Sequence, residues 1–216
     1  MKPQLLIFDL DGTLVDSRAD LATAVNLMRA HYALPPLSLD TITTYIGNGV
    51  RALVTRALDG TNINIDEALA IQRPFYETNV AVKTTLYPGV MEGLHQLHNA
   101  GHTLAVATNK PAAATTLILD HFGLSPLFAA VLGGGSVANL KPHPEMVATI
   151  IQSTRSTPQN TWIIGDNYTD LECARHARIS SLFVSYGYGN PGTETPTRRI
   201  DTFSELVLLF NPRPEA

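Results

Sequence analysis

Asp9 and Asp11 stand two residues apart in the stretch FDLDGTLVDS (8–17), directly after the apolar run Leu5-Leu6-Ile7. Two carboxylates about 4 Å apart repel by roughly 4 kcal/mol at an effective dielectric near 20. A fold that seats such a pair at the end of a buried segment needs a cation or a reaction to justify it. Thr108-Asn109-Lys110 follows a second apolar run, and Lys141 follows GGGSVANL. A further run ends in Gly165-Asp166-Asn167, with Asp170 four residues after Asp166. An Asp behind a strand is often only a helix N-cap, so none of these positions decides anything alone. Together they offer three carboxylates, a hydroxyl and a lysine to a single point.

The elements that must carry them read as an open α/β sheet. QLLIFDL (4–10), HTLAVAT (102–108), AAVLGG (129–134), TWIIGD (161–166) and SLFVSYG (181–187) are short, nearly continuous in apolar residues and bounded by Gly, Asp or Asn. That is the pattern of parallel strands buried on both faces. Amphipathic helical segments alternate with them at 89–101, 111–123, 144–155 and 169–177. In such sheets ligands bind beyond the carboxyl ends of the strands, and those ends are where the polar residues fall.

One interval breaks the rhythm. Between Ser17 and Thr85 only helical patterns occur, with Leu21, Val25 and Met28 on one face and Val50, Leu53, Val54 and Leu58 on another. The expectation is a helical cap over 17–85 inserted into a core made of 1–16 and 86–216, with TLYPGV (85–90) as the return hinge. The tail NPRPEA (211–216) is expected to fray.

Composition narrows the function classes. With 44% hydrophobic residues, the chain can bury a sizeable core. A net charge of −4 without a basic stripe argues against nucleic acid. Cys173 is the only cysteine, which rules out an intrachain disulfide and a multi-cysteine metal site. The first apolar run is broken by Asp9 and Asp11, so it does not read as a signal peptide, and no run is long enough to span a membrane. A soluble cytoplasmic protein, monomer or homodimer, with no membrane partner, is expected. His95, His98 and His102 have near-helical spacing, but Gly101 should end the helix before His102, so no zinc site is expected. GGGS (133–136) lacks the Gly-Lys-Ser/Thr ending of a nucleotide-binding phosphate loop.

FDLDGTLVDS, AVATNK, the lysine of LKPHPE and IIGDNYTD resemble the four motifs of the haloacid dehalogenase-like hydrolase superfamily. The helical interval after the first motif is similar to the subgroup with an inserted α-helical cap. YIGNGVRALVTRAL (45–58), LYPGV and VSYGYG (184–189) look most like the phosphoglycolate phosphatases of that superfamily. The resemblance implies a Rossmann-like three-layer core and a Mg²⁺-dependent phosphatase of a small phosphorylated metabolite, 2-phosphoglycolate first among candidates.

By that resemblance Asp9 is the nucleophile that forms an aspartyl-phosphate, and Asp11 is the general acid–base. Asp9, Asp166 and the backbone carbonyl of Asp11 are the expected Mg²⁺ ligands, with Asp170 and Asn167 behind them. Lys141, Thr108 and the Asn109 loop are expected to hold the phosphoryl group. Asn167 stands where the family often has Ser, and Gly135-Ser136 where many members carry an acidic residue. In the cap, Gly47, Asn48, Gly49 and Arg51 are the candidates for substrate choice, Arg51 as partner of a substrate carboxylate. Other readings stay open: a sugar, amino-sugar or nucleotide phosphatase, a phosphomutase using the same two aspartates, or a non-catalytic phosphate-binding regulator. Dehalogenases lack the second acid, and phosphonate cleavage needs a cap lysine, for which Lys83 is the only candidate.

Overall fold

The computed structural model describes residues 2–211. Six parallel strands form one sheet in the order β5-β4-β1-β6-β7-β8. They are β1 (Leu5–Phe8), β4 (Thr103–Pro111), β5 (Phe128–Gly134), β6 (Thr161–Gly165), β7 (Ser180–Val184) and β8 (Arg198–Ile200). Side chains alternate across β1, and the alternation divides the core. Leu6 and Phe8 face a cluster built with α5 (Val90–Asn99), α6 (Ala112–His121) and α9 (Phe203–Phe210). Leu5 and Ile7 face a second cluster with α7 (Glu145–Ser153) and α8 (Tyr168–Ala177), where Cys173 is buried. The result is a three-layer α/β core.

β1 lies between β4 and β6, with Phe8 level with Val106 on one side and Ile164 on the other. The chain therefore switches direction across the sheet at β1, and the crevice at that switch lies beyond Asp9, Thr108 and Asp166.

The interval after β1 is helical. α1 (Arg18–His31), α2 (Leu39–Thr43), α3 (Val50–Ala57) and α4 (Ile65–Asn79) gather Leu21, Val25, Met28, Ile42, Leu53, Val54, Leu58 and Tyr76 into a third apolar cluster. Two short strands that the hydrophobic pattern did not signal, β2 (Val15–Asp16) and β3 (Thr85–Leu86), pair antiparallel where the chain enters and leaves this helical body. Asp20 clasps the same crossing. Its buried carboxylate accepts from the backbone N–H of Lys83 (3.0 Å) and Thr84 (2.8 Å) and from the Thr84 hydroxyl (2.7 Å).

β8 and α9 were also not anticipated. β8 is a three-residue edge strand with Arg198 and Arg199 exposed, too short to show a period. α9 brings Phe203 onto Phe8, their ring centroids 6.1 Å apart. His102 sits in this region with a structural role: its ring bonds the backbone N–H of Gln4 (3.1 Å) and the carbonyl of Phe210 (2.9 Å). The expected fraying of the tail concerns residues 212–216, which lie outside the described residues. Among the described residues no helix is long and apolar enough to cross a membrane.

The clasp yields a stability prediction. Asp20→Ala strands two buried N–H donors and a hydroxyl, which costs about 1–3 kcal/mol. Urea unfolding followed by circular dichroism should show that loss, with the midpoint shifted and the slope unchanged.

Candidate active site

Asp9 leaves the end of β1 with its N–H on the Ile164 carbonyl (2.9 Å), so β6 fixes its backbone. One carboxylate oxygen accepts from Leu10 N–H (2.7 Å) and lies 3.0 Å from Lys141 Nζ. The turn that follows needs a left-handed residue, and Gly12 supplies it at φ +83°. A side chain there would collide with the Asp166 carboxylate, its Cβ only 2.0 Å from Oδ2. That close approach brings Asp11 back beside Asp9 and over the end of β6.

Lys141 arrives from the loop between β5 and α7. It is fully buried and bridges two carboxylates, Asp9 at 3.0 Å and Asp170 at 2.6 Å. Burial opposes its charge, yet the two aspartates hold its pKa above the ordinary lysine value. Asn109 positions it by exchanging two bonds with its backbone, 2.8 Å and 2.9 Å, and donates a third to the Gly47 carbonyl in the helical body. The pairing of β4 with β5 is irregular between Ala107 and Pro111. An irregularity of that kind re-aims side chains at a strand end, and it falls where Thr108, Asn109 and Lys110 face the crevice.

Asp166 is placed differently. One of its oxygens accepts from the N–H groups of Tyr188 (3.0 Å) and Gly189 (2.8 Å). No lysine, arginine or histidine reaches it among the described residues. Burial first, then the charges of Asp9 and Asp170, push it well above the usual carboxylate range. Asp170 sits behind: its carboxylate takes Lys141 on one oxygen and the Asn167 N–H (3.1 Å) on the other, while Asn167 caps α8 in return. Burial raises Asp170 too, with Lys141 opposing. Oxygens of Asp9, Asp166 and Asp170 lie within 4.8 Å of one another.

A carboxylate at the end of β1, a lysine from the loop after β5 and a carboxylate cluster at the end of β6 form the arrangement that the four motifs imply. Residues 6–184 match the haloacid dehalogenase-like hydrolase family. The chain belongs to that family. A phosphoglycolate phosphatase of Psychrobacter arcticus is 40% identical over 220 residues, covering 96% of this chain and 95% of its own length. Its counterpart in Colwellia psychrerythraea is 38% identical over 217 residues, with 95% and 96% covered. The crystal structure of a predicted phosphoglycolate phosphatase from Haemophilus somnus superposes with a TM-score of 0.90 at 33% identity, covering 97% of this chain and 98% of that one.

The rest of this hydrolase's site comes from residues the sequence did not single out. Lys110 Nζ contacts both oxygens of Asp11, at 2.8 and 3.0 Å, and Ser17 donates to Asp11 at 2.5 Å. Burial works against the Lys110 charge, but Asp11 outweighs it and the pKa stands raised. Lys110 belongs to the AVATNK motif, so its position was visible although its partner was not. Tyr188, whose N–H holds Asp166, lies inside VSYGYG. Gln72 and Tyr76 of α4 enter the same cavity, which measures about 50 Å³ and holds Asp9, Asp11, Thr108, Asn109, Lys110 and Asp166. Their signal was a Gln in the i, i+4, i+8 row Ala68, Gln72, Tyr76 on the buried face of α4.

The cap-loop candidates divide. Gly47, at φ +113°, and Gly49 line the cavity. Asn48 turns away, donating to Tyr168 Oη (2.7 Å) and accepting from Arg56 (2.8 Å). Arg51 does not reach the cavity. It is 64% exposed and pairs with Asp66 at 2.5 Å, because its place on α3 points it outward while Leu53 and Val54 point in. Arg51 instead borders an adjoining cleft that shares Val50, Gln72, Tyr76 and Asn109 with the cavity, so it is not in place to meet a carboxylate held inside the cavity itself.

In the Lys110–Asp11 pair the lysine is buried and the aspartate half-buried. Lys110→Met leaves Asp11 without its cation, a change that costs about 3–5 kcal/mol in buried pairs. Chemical denaturation of that variant should show a loss of this size.

Proposed function

We propose that this hydrolase is a Mg²⁺-dependent phosphatase of a small phosphomonoester, 2-phosphoglycolate in the first instance, working through an aspartyl-phosphate on Asp9. The observation that carries the reading is the convergence of Asp9, Asp11, Thr108, Lys110 and Asp166 on one small cavity roofed by the helical body. On the scale where one water takes roughly 10–15 Å³, the 50 Å³ cavity suits a compact phosphorylated group, and it adjoins a larger cleft that shares Gln72 and Tyr76. The names of the relatives point to the same substrate.

The donor set fits a hard divalent cation. Asp9, Asp11, Asp166 and Asp170 bring four negative charges, and Lys110 and Lys141 return two. Asp166 is the carboxylate left without a cationic partner. Oxygen-only ligands of this kind suit Mg²⁺. Asp9, Asp166 and the Asp11 carbonyl are the proposed ligands, and Asp170, engaged by Lys141 and Asn167, stands behind them. When bound, the ion supplies positive charge that lowers the repulsion between a carboxylate and a phosphate dianion.

The protein's own groups do the remainder. Asp9, steered by Lys141 and Leu10 N–H, offers its free oxygen to phosphorus. Asp11 protonates the departing alkoxide, then takes a proton from the water that opens the acyl-phosphate. Thr108, backbone N–H groups of the Asn109 loop and Lys141 hold the phosphoryl oxygens. The helices of 17–85 act as a cap, hinged at the β2–β3 ribbon, that excludes bulk water.

Asp9→Asn should fold normally and reduce phosphate release from 2-phosphoglycolate to background. Residual turnover at wild-type level would remove Asp9 from the role of nucleophile. Rates across a panel of phosphomonoesters rank the substrates, and a requirement for a bisphosphate activator would mark a phosphomutase instead. Mg²⁺ at a hundredfold over its Kd should stabilise the wild type by about 2.7 kcal/mol. Asp166→Asn, which keeps an oxygen to accept from the Tyr188 and Gly189 N–H groups, should lose that thermal shift while melting in chelator no lower than wild type.

A further inference from the structure

Two residues in the wall of the cavity carry buried donors without an acceptor among the described residues. Gln72 and Tyr76 lie one turn apart on α4 and are 2% and 5% exposed. Gln72 Nε2 and Tyr76 Oη make no hydrogen bond among the described residues. A donor buried this way costs free energy that folding has no reason to spend unless a ligand later uses it. Both residues line the cavity that holds Asp9 and Asp11, and Lys110 Nζ stands 4.9 Å from the Tyr76 ring centroid. The ammonium has three donors: the two oxygens of Asp11 take two of them, and the Tyr76 hydroxyl stands close enough to interact with the third. Burial raises the Tyr76 phenol to about 12, so it presents a proton at neutral pH.

The three groups share one chemical character. An amide N–H₂, a phenol O–H and an ammonium all donate, and one carries charge. Their complement accepts only and is anionic, which describes a carboxylate. A substrate hydroxyl could accept one of these bonds but brings no charge to meet the ammonium, and a protonated amine brings a charge of the wrong sign. A second phosphate would bring more charge than one lysine, already paired with Asp11, can meet.

We propose that Gln72 and Tyr76, with Lys110 beside them, form the receptor for a carboxylate on the substrate, separate from the phosphate seat at Asp9. The inference rests on the phosphatase reading and sharpens it, because Arg51 is turned to the surface. Substrate choice then resides in one turn of α4 and not in the loop 47–51.

The test compares 2-phosphoglycolate with ethyl phosphate, which matches it in length but lacks the carboxylate. 2-Phospholactate serves as a second phosphorylated acid. Wild type, Tyr76→Phe and Gln72→Met are each assayed for kcat/KM and melted. The expected result is a roughly tenfold or greater loss on the acids for each variant, with ethyl phosphate changed by less than about threefold. Tyr76→Phe should melt no lower than wild type, since it removes an unpaired buried hydroxyl. A structural tyrosine would do the reverse.

Equal losses on all three substrates, or an unchanged preference for acids in both variants, would overturn the receptor while leaving the phosphatase intact. A wild type that prefers 2-phospholactate, with that preference lost in the variants, would keep the receptor and displace phosphoglycolate as substrate. A wild type indifferent to the carboxylate overturns the receptor. No phosphate release from any of the three overturns the phosphatase reading, and the receptor that rests on it falls as well.

Discussion

The excess of negative charge at the end of β1 is the constraint that the rest of the molecule answers. Four carboxylates, three of them buried, stand around two lysines, and the pairing is unequal: Lys141 serves Asp9 and Asp170, Lys110 serves Asp11, and Asp166 has only backbone N–H groups. Each lysine is itself buried, where a lone ammonium would give up its proton. The carboxylates keep the lysines charged, and the lysines let the carboxylates sit together. Neither set is stable in that place without the other. The pairing leaves Asp166 as the position where an additional positive charge gains most.

Holding those groups within reach requires backbone more than side chain. Three adjacent parallel strands end at the same level, so Asp9, Thr108 and Asp166 arrive side by side without any long loop. Gly12 allows Asp11 to fold back over Asp166, and the Asn109 amide ties the Lys141 backbone to β4 and to the Gly47 carbonyl. A single amide side chain thus links the lysine loop, the sheet and the helical body. Asp170 serves two purposes as well, capping α8 through Asn167 and orienting Lys141.

How much of this was legible in the sequence follows from which forces leave a local trace. Strands with a continuous apolar run and helices with one apolar stripe leave a pattern, and five of the six strands of the main sheet, with the helices between them, read clearly. The polar residues at strand ends read as a set because parallel topology sends all those ends to one side. β8 and the β2–β3 ribbon have too few residues for a period, so their pairing shows only in three dimensions. Partnerships across distant segments were equally silent: Lys110 with Asp11, Asp20 with Thr84, Tyr188 with Asp166. Arg51 illustrates the opposite error. A cationic residue beside a glycine loop suggests a ligand contact, but helix phase decides its direction, and α3 spends its inward face on Leu53 and Val54.

The helical body sits on this site at a cost, and the cost has a direction. With the cavity closed, Gln72 Nε2 and Tyr76 Oη are withdrawn from water without an acceptor. An unpaired buried donor costs about 1–3 kcal/mol. On the proposed hinge at the β2–β3 ribbon, opening the body would return both donors to solvent at the expense of the contacts that cross the crevice, such as Asn48–Tyr168 and Asn109–Gly47. The Asp20 clasp and the ribbon lie at the pivot, and the Asn109–Gly47 bond is one of the links across the crevice. A ligand that brings oxygen acceptors to α4 removes the penalty only in the closed state. Its affinity for the closed state then exceeds that for the open one by the same free energy, which is the condition for a ligand to drive closure. A phosphate seated at Asp9 without a second acceptor leaves the donors of α4 unpaired. Closure in that case gains nothing from α4, so with the proposed receptor in place the helical body would distinguish substrates by the end that does not react.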